Sequence, residues 1–246
     1  MINLKKRMLF KADLHTHTIA SGHAFGTVLE NVTEAKKKGI SLLAVTDHGP
    51  AAPGAPRSVY FKMGRRLPKV INGIRVLFGV EANIINENGD LDLPNKILDR
   101  LDLVVAGFHA ECGYEDLGIE KNTDVMIKVI KNPYVKIISH PYEDDIKVDI
   151  EAVTKAAIEN NVLLEVNASY FYTGKIKDEE IWSKIKMMVK ILRENNQKIL
   201  INSDAHSQYE IGKFQDVINK FEELGITSRD ILNNDKAEIL KILKIN

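Results

Sequence analysis

Seven short runs rich in apolar and β-branched residues recur along the chain: MLFKADLH, SLLAVTDH, IRVLFGVEANI, LDLVVAGFH, VKIISHP, VLLEVNAS and KILINSDAH. Between them, segments near 27–38, 59–72, 122–131, 149–160 and 178–195 carry apolar residues at helical spacing. Strands that alternate with helices end up parallel, because the crossover helix returns the chain to the end of the sheet where it started. The chain has 246 residues, the length of one α/β barrel. The pattern predicts a single domain over 1–246 that is α/β in class, a distorted (β/α)7 relative of the eight-stranded TIM barrel. An open doubly wound sheet is the alternative that periodicity leaves standing. Residues from 213 onward read as helices closing the C-terminal end, the last a solvated KAEILKILKIN stripe. The one Pro/Gly-rich stretch, Gly49–Pro56, directly follows the second strand and reads as a rigid wall or lid over a strand end.

Charge and cysteine content narrow the function classes. Lys plus Arg and Asp plus Glu both number 34, so the formal charge is zero, which argues against a dedicated nucleic-acid binder with its basic surface. Cys112 is the only cysteine, so neither an intramolecular disulfide nor a thiolate zinc site can form, as in a reducing compartment. No continuous apolar region follows the basic N-terminus and no later stretch is long enough to span a bilayer. A soluble cytoplasmic protein without a membrane partner is expected.

The informative residues are the histidines. His15 and His17 end the first run, His23 lies just beyond it, and His48, His109, His140 and His206 end the second, fourth, fifth and seventh. In a parallel barrel these positions share the C-terminal mouth, where active sites of this architecture are built. Glu81 ends the third run and Asp204 stands two before His206. In His15-Thr16-His17 and Asp204-Ala205-His206 the outer residues leave one face of an extended backbone, roughly 6.6 Å apart along the strand. Singly, each histidine reads best as a hydrogen-bonded strand-end residue and each carboxylate as a cap or ion-pair partner. Together, seven imidazoles at one mouth would leave many ring nitrogens unsatisfied without metal. Seven nitrogen and two carboxylate ligands suit two or three ions with open positions. Imidazole with carboxylate suits Zn, Fe, Mn or Co, and nothing in the sequence selects among them. Asp13 and Asp47 read equally as carboxylates that orient a ligand imidazole and as turn caps, and Asn167 reads as a substrate contact or a loop anchor.

The ordered motifs DLHTHT, TDHG, GVEAN, GFH, SHP and SDAH resemble the PHP (polymerase and histidinol phosphatase) superfamily. HGPAAPGAP, Tyr60-Phe61 with Arg65 and Pro68, and EANI resemble its stand-alone YcdX-type phosphatases, over nearly the whole chain from Ala12. The resemblance implies a (β/α)7 barrel holding three divalent ions, Zn, Mn or Fe. His15, His17, Glu81 and Asp204 would hold one ion, and Glu81 would bridge to a second held also by His109 and His140. His23, His48 and His206 would hold the third. It further implies hydrolysis of a small phosphorylated substrate by water activated between the two ions that share Glu81, with Glu81, Asp204 and His206 at the catalytic centre, and it hints at a homo-oligomer.

Arg57, Arg65 and Arg66 follow the Gly49–Pro56 loop, and any of them could grip phosphate bidentately. Arg65 is favoured because it matches an arginine of the YcdX-type pattern, whereas Arg57 sits nearer the loop. Three other functions compete. A phosphodiesterase or nuclease is disfavoured by the zero charge. An amidohydrolase would use a lysine on the fourth strand, where this chain has Phe108-His109. A metal-binding module without turnover is compatible with the ligands but leaves the open coordination positions unexplained.

Overall fold

The computed structural model describes residues 10–245. Its sheet contains β1 (Ala12–Asp13), β2 (Leu42–Val45), β3 (Val70–Ile71), β4 (Ile74–Asn83), β5 (Leu103–Gly107), β6 (Ile137–Ile138), β7 (Leu163–Asn167) and β8 (Leu200–Asn202). Seven of these run parallel in the order β1-β2-β4-β5-β6-β7-β8, and β3 is an antiparallel flap on β4. The circle nearly closes. A parallel bridge joins Thr16 to Ala205, the Leu14 N–H donates to Asn202 Oδ1 at 3.0 Å, and the Ser203 N–H donates to Asp13 Oδ1 at 3.1 Å. Lower in this seam Asn233 stands in for a strand residue, donating to the Ala12 carbonyl and accepting from the Ile201 N–H.

The helices are α1 (Val28–Lys37), α2 (Asn95–Leu98), α3 (Ile119–Ile130), α4 (Ile150–Asn160), α5 (Ser169–Thr173), α6 (Glu179–Glu194), α7 (Gln215–Glu223) and α8 (Lys236–Ile242). Capping fixes several starts: Thr27 and Glu30 form a capping box on α1, Asp149 caps α4 and Asp178 caps α6. The helix expected over 59–72 is corrected to a 3-10 helix over Tyr60–Arg66 followed by β3. Pro68 stops the helix, and Asn72-Gly73, both at positive φ (51° and 85°), makes the two-residue turn that pairs Ile71 with Ile74. The C-terminal stripe is likewise not solvated throughout. Ile239 and Leu243 are buried with Leu232 against Ala12, Leu42, Leu77, Leu103, Val105, Ile137 and Leu200, flooring the barrel opposite the mouth. The part of the first apolar run before Phe10 lies outside the described residues. Among those described, no helix is long and apolar enough to cross a membrane.

The pleat then aims the site. Side chains two apart share a face, and Leu77 points into the barrel, so Glu81 on the same row points into it too. The rows Leu42-Ala44-Thr46-His48, Leu103-Val105-Gly107-His109 and Leu200-Asn202-Asp204 behave alike: apolar at the floor, ligand type at the rim. Gly107 is required beneath the histidines, since a Cβ there would collide with the Ser139 hydroxyl.

Candidate metal centre

All seven histidines gather with Glu81 and Asp204 at the mouth. Glu81, fully buried near the end of β4, is the hub. Its Oε2 lies 3.1 Å from His15 Nε2, 3.4 Å from His17 Nε2 and 3.0 Å from His48 Nδ1, and its Oε1 lies 3.0 Å from His109 Nε2 and 3.1 Å from His140 Nε2. Asp204 Oδ1 is 3.0 Å from His17 Nε2 and 3.5 Å from both His15 Nε2 and His206 Nδ1. His206 Nε2 faces His23 Nε2 at 3.0 Å, and the His23 ring stacks on His48. Three groups have ligand atoms close enough to share an ion: His15, His17, Glu81 and Asp204; His48, Glu81 and His109; and His17, His48 and His206. The first reproduces the set that the resemblance implies. In the others His48 joins Glu81 and His109, while His17 stands with His48 and His206 and His23 stands at the outer edge.

The donor chemistry tests whether cations fit. His15 and His17 both hold protons outward, Nδ1 of His15 on Glu165 Oε1 at 2.8 Å and Nδ1 of His17 on Ser21 Oγ at 2.9 Å. Their Nε2 atoms therefore stand 3.1 Å apart and both face Glu81 Oε2, and in the neutral rings that metal binding requires both would present lone pairs there. One carboxylate cannot satisfy five ring nitrogens, and Glu81 Oε2, Asp204 Oδ1, His48 Nδ1 and His109 Nδ1 are buried atoms without a hydrogen-bond partner. Ligand atoms about 2.0–2.2 Å from one ion sit about 3.0–3.5 Å from one another in tetrahedral or octahedral array. The spacings around Glu81 fall in that range, so the residues fit divalent ions.

Electrostatics keep both carboxylates and His17 in binding form. At His15 and His140, by contrast, burial is outweighed by Glu165 and Glu81 and by Glu143 and Glu81, respectively, which raise both rings well above the usual imidazole range, so that a cation would have to displace a proton there. Burial alone would favour the neutral acid of Glu81, but His15, His109 and His48 outweigh it and hold the carboxyl well below its usual range. Asp204 is lowered in the same way, burial being overcome by His15 and His17. Burial, reinforced by neighbouring His48 and His206, pushes His17 well below the usual imidazole value and keeps it neutral. Two ligand positions, His140 (φ 25°) and Asp204 (φ 51°), have left-handed backbone, a local strain typical of sites where side-chain aim is over-determined by surroundings.

The supporting polar residues have defined places. Asp47 accepts from the Thr18 N–H at 2.7 Å and from the hydroxyls of Ser21 at 2.7 Å and Tyr60 at 2.6 Å, so it orients His17 through Ser21 while ordering the loop after β1. Asp13 instead accepts from the Ser203 and Gly212 N–H groups and ties the barrel seam. Asn167 donates to Asp204 Oδ2 at 2.9 Å and steadies that carboxylate. Glu143 and Glu165, absent from the sequence reading, contact His140 and His15. An acidic residue inside the apolar run VLLEVN was the available signal for Glu165, because a buried charge requires a partner. Arg65 is exposed and lines a groove with Lys69, Val76, Phe78, Arg100 and Asp102, near the end of the barrel where strands begin. Arg57 is also exposed, but follows the loop whose Gly54 packs against Gly22, the neighbour of His23.

A parallel barrel with histidines and carboxylates converging at its mouth defines an α/β-barrel whose mouth could hold divalent ions. The PHP domain family model matches residues 13–204, and the chain belongs to the PHP family. It is 41% identical over 243 residues to a probable phosphatase of Caldanaerobacter subterraneus subsp. tengcongensis, covering 98% of this chain and 94% of that one. Identity to a probable phosphatase of Thermoanaerobacter sp. (strain X514) is 43% over 232 residues, covering 94% of each. In fold it is similar to histidinol phosphate phosphatase from Lactococcus lactis, solved with zinc, L-histidinol and phosphate: TM-score 0.59 at 18% identity, over 85% of this chain and 93% of that one.

Proposed function

We propose that this chain is a metal-dependent phosphatase hydrolysing small phosphate monoesters, with its nine mouth residues holding three divalent ions, Zn, Mn or Fe. The observation that carries the reading is the five imidazole nitrogens, each from a different histidine, within 3.4 Å of the Glu81 carboxylate. The probable-phosphatase relatives support the ester class. Ions bound there would supply Lewis acidity and an activated water near neutral pH. The protein's work in phosphoryl transfer is positioning and charge placement. Glu81 does this from the centre, one oxygen toward His15, His17 and His48 and the other toward His109 and His140. Asp204, steadied by Asn167, places a second negative charge beside His15 and His17. The cytoplasmic location and homo-oligomeric state expected from the sequence belong to the same reading.

The test sets a panel of phosphorylated metabolites against a phosphodiester, using protein loaded separately with Mn, Zn and Co. Monoester hydrolysis at least about tenfold faster than diester hydrolysis is expected, a gap of roughly 1.4 kcal/mol in barrier. The reverse ratio would make the protein a phosphodiesterase.

Although the family pattern favours Arg65, Arg57 is the phosphate ligand proposed, because it stands three positions after Gly54, which packs beside the histidine-bearing loop, whereas Arg65 lines a groove near the opposite end of the barrel. Arg57→Ala is expected to raise KM or lower kcat about ten- to a hundredfold, the effect of losing a charge-assisted hydrogen bond of about 1.5–3 kcal/mol. Metal content should not change. Arg65→Ala, in the groove with Asp102, should stay within about twofold of the unsubstituted protein. Steady-state kinetics of both variants decide the assignment, and loss on Arg65→Ala alone would reverse it.

A further inference from the structure

We propose that Glu143 and Glu165 are positioning residues: by accepting the Nδ1 protons of His140 and His15 they turn the Nε2 lone pairs of both rings onto Glu81. The inference rests on the metal-dependent reading above and adds to it the groups that aim two of the ligands.

The two carboxylates act on opposite sides of one hub. Glu165 Oε1 accepts from His15 Nδ1 at 2.8 Å, and His15 Nε2 then reaches Glu81 Oε2 at 3.1 Å. Glu143 Oε2 lies 3.3 Å from His140 Nδ1, and His140 Nε2 then reaches Glu81 Oε1 at 3.1 Å. An imidazole whose Nδ1 carries the proton presents Nε2 as a lone pair, so the outer acceptor chooses the tautomer and fixes the plane of the ring.

Both carboxylates are immobilised by further hydrogen bonds. Glu165 also accepts from Asn202 Nδ2 at 2.9 Å, and its other oxygen accepts the His140 N–H at 3.2 Å. One buried side chain on β7 thus orients the ring of His15 and holds the left-handed backbone of His140, two positions far apart in sequence. Glu143 takes a short hydrogen bond from the Tyr170 hydroxyl on α5, and the Tyr170 ring packs edge-on against Tyr142. Neutral acceptors serve two other rings: Ser21 Oγ for His17 and the Asp204 carbonyl at 2.9 Å for His206. A charged acceptor makes the opposite nitrogen a stronger donor, and the structure gives one to a ring at each oxygen of Glu81.

The experiment uses the full chain labelled with 15N-histidine, long-range proton–nitrogen spectra of the metal-free protein, and zinc affinity by competition with a chromophoric chelator. Glu165 and Glu81 beside His15, and Glu143 and Glu81 beside His140, outweigh burial and raise both rings well above the usual imidazole range. The spectra are therefore read on the alkaline side of both titrations, where the unsubstituted protein should show both rings as Nδ1–H tautomers. Glu165→Ala and Glu143→Ala should shift His15 and His140, respectively, toward the Nε2–H tautomer and weaken zinc binding about 10- to 100-fold. Glu165→Gln and Glu143→Gln keep an acceptor oxygen and should restore the tautomer. A merely structural role would lower thermal stability in both substitutions and leave the tautomers alone. Should Glu165→Ala fail to fold, the test is read from Glu143→Ala, whose side chain is at the partly open rim. Folded alanine variants with unchanged tautomers or unchanged zinc affinity would overturn the proposal while leaving the metal reading intact. An unsubstituted protein that binds no zinc, manganese or cobalt would overturn both.

Discussion

Glu81→Gln is expected to lower phosphatase turnover by about three orders of magnitude or more, roughly 4 kcal/mol of barrier, while the barrel stays folded. The substitution preserves volume, so the buried row from Leu77 through Glu81 should keep its packing. It removes the negative charge that five imidazole nitrogens approach within 3.4 Å. Glutamine offers one acceptor oxygen and an NH2 group, and the NH2 would point its protons at ring nitrogens that should present lone pairs. Kinetics on a metal-loaded variant, with circular dichroism as the folding control, provide the measurement. Turnover within about tenfold of the unsubstituted protein would make Glu81 a structural residue.

Metal removal should have the other large effect. Dialysis against a strong chelator is expected to abolish turnover, and adding back Mn, Zn or Co should restore it. Ions that bind only the folded chain stabilise it by mass action, about 4 kcal/mol at a thousandfold excess over Kd. For a domain of this size that corresponds to a melting temperature lower by about 10 °C in the stripped protein. The sign with pH also follows. Ligand imidazoles must lose their protons to bind, so stripping should be easier at pH 5.5 than at pH 7.5, values that bracket an imidazole pKa of about 6.5. Differential scanning calorimetry before and after stripping measures the shift, and identical melting curves with undiminished turnover would remove metal from the account.

The legible part of this fold was the part governed by local period. Strand ends could be located because apolar runs stop where His48, His109, His140 and Asp204 begin, and the helix over 150–160 is bounded by its own Asp149 cap. What escaped had one of two causes. The 59–72 segment carries Val59, Phe61, Met63 and Leu67 near helical spacing, and that signal outweighed the Asn72-Gly73 turn that builds β3. Glu165, Asn202 and Asn233 act on partners far away in sequence. Glu165 meets His15 across 150 positions and Asn202 meets Leu14 across 188, separations at which no periodicity carries information. The floor made by Ile239 and Leu243 was missed for the same reason: an amphipathic terminal helix does not say which surface it covers.

On the function proposed above, seven histidines, Glu81 and Asp204 together form one multinuclear metal centre. Elemental analysis tests it most directly, on protein reconstituted with excess Zn or Mn and freed of loose ions by gel filtration. Two to three metal equivalents per chain are expected, about three at saturation, since seven imidazoles and two carboxylates exceed what one ion can use. A chain that retains one equivalent or none after reconstitution would contradict a multinuclear centre.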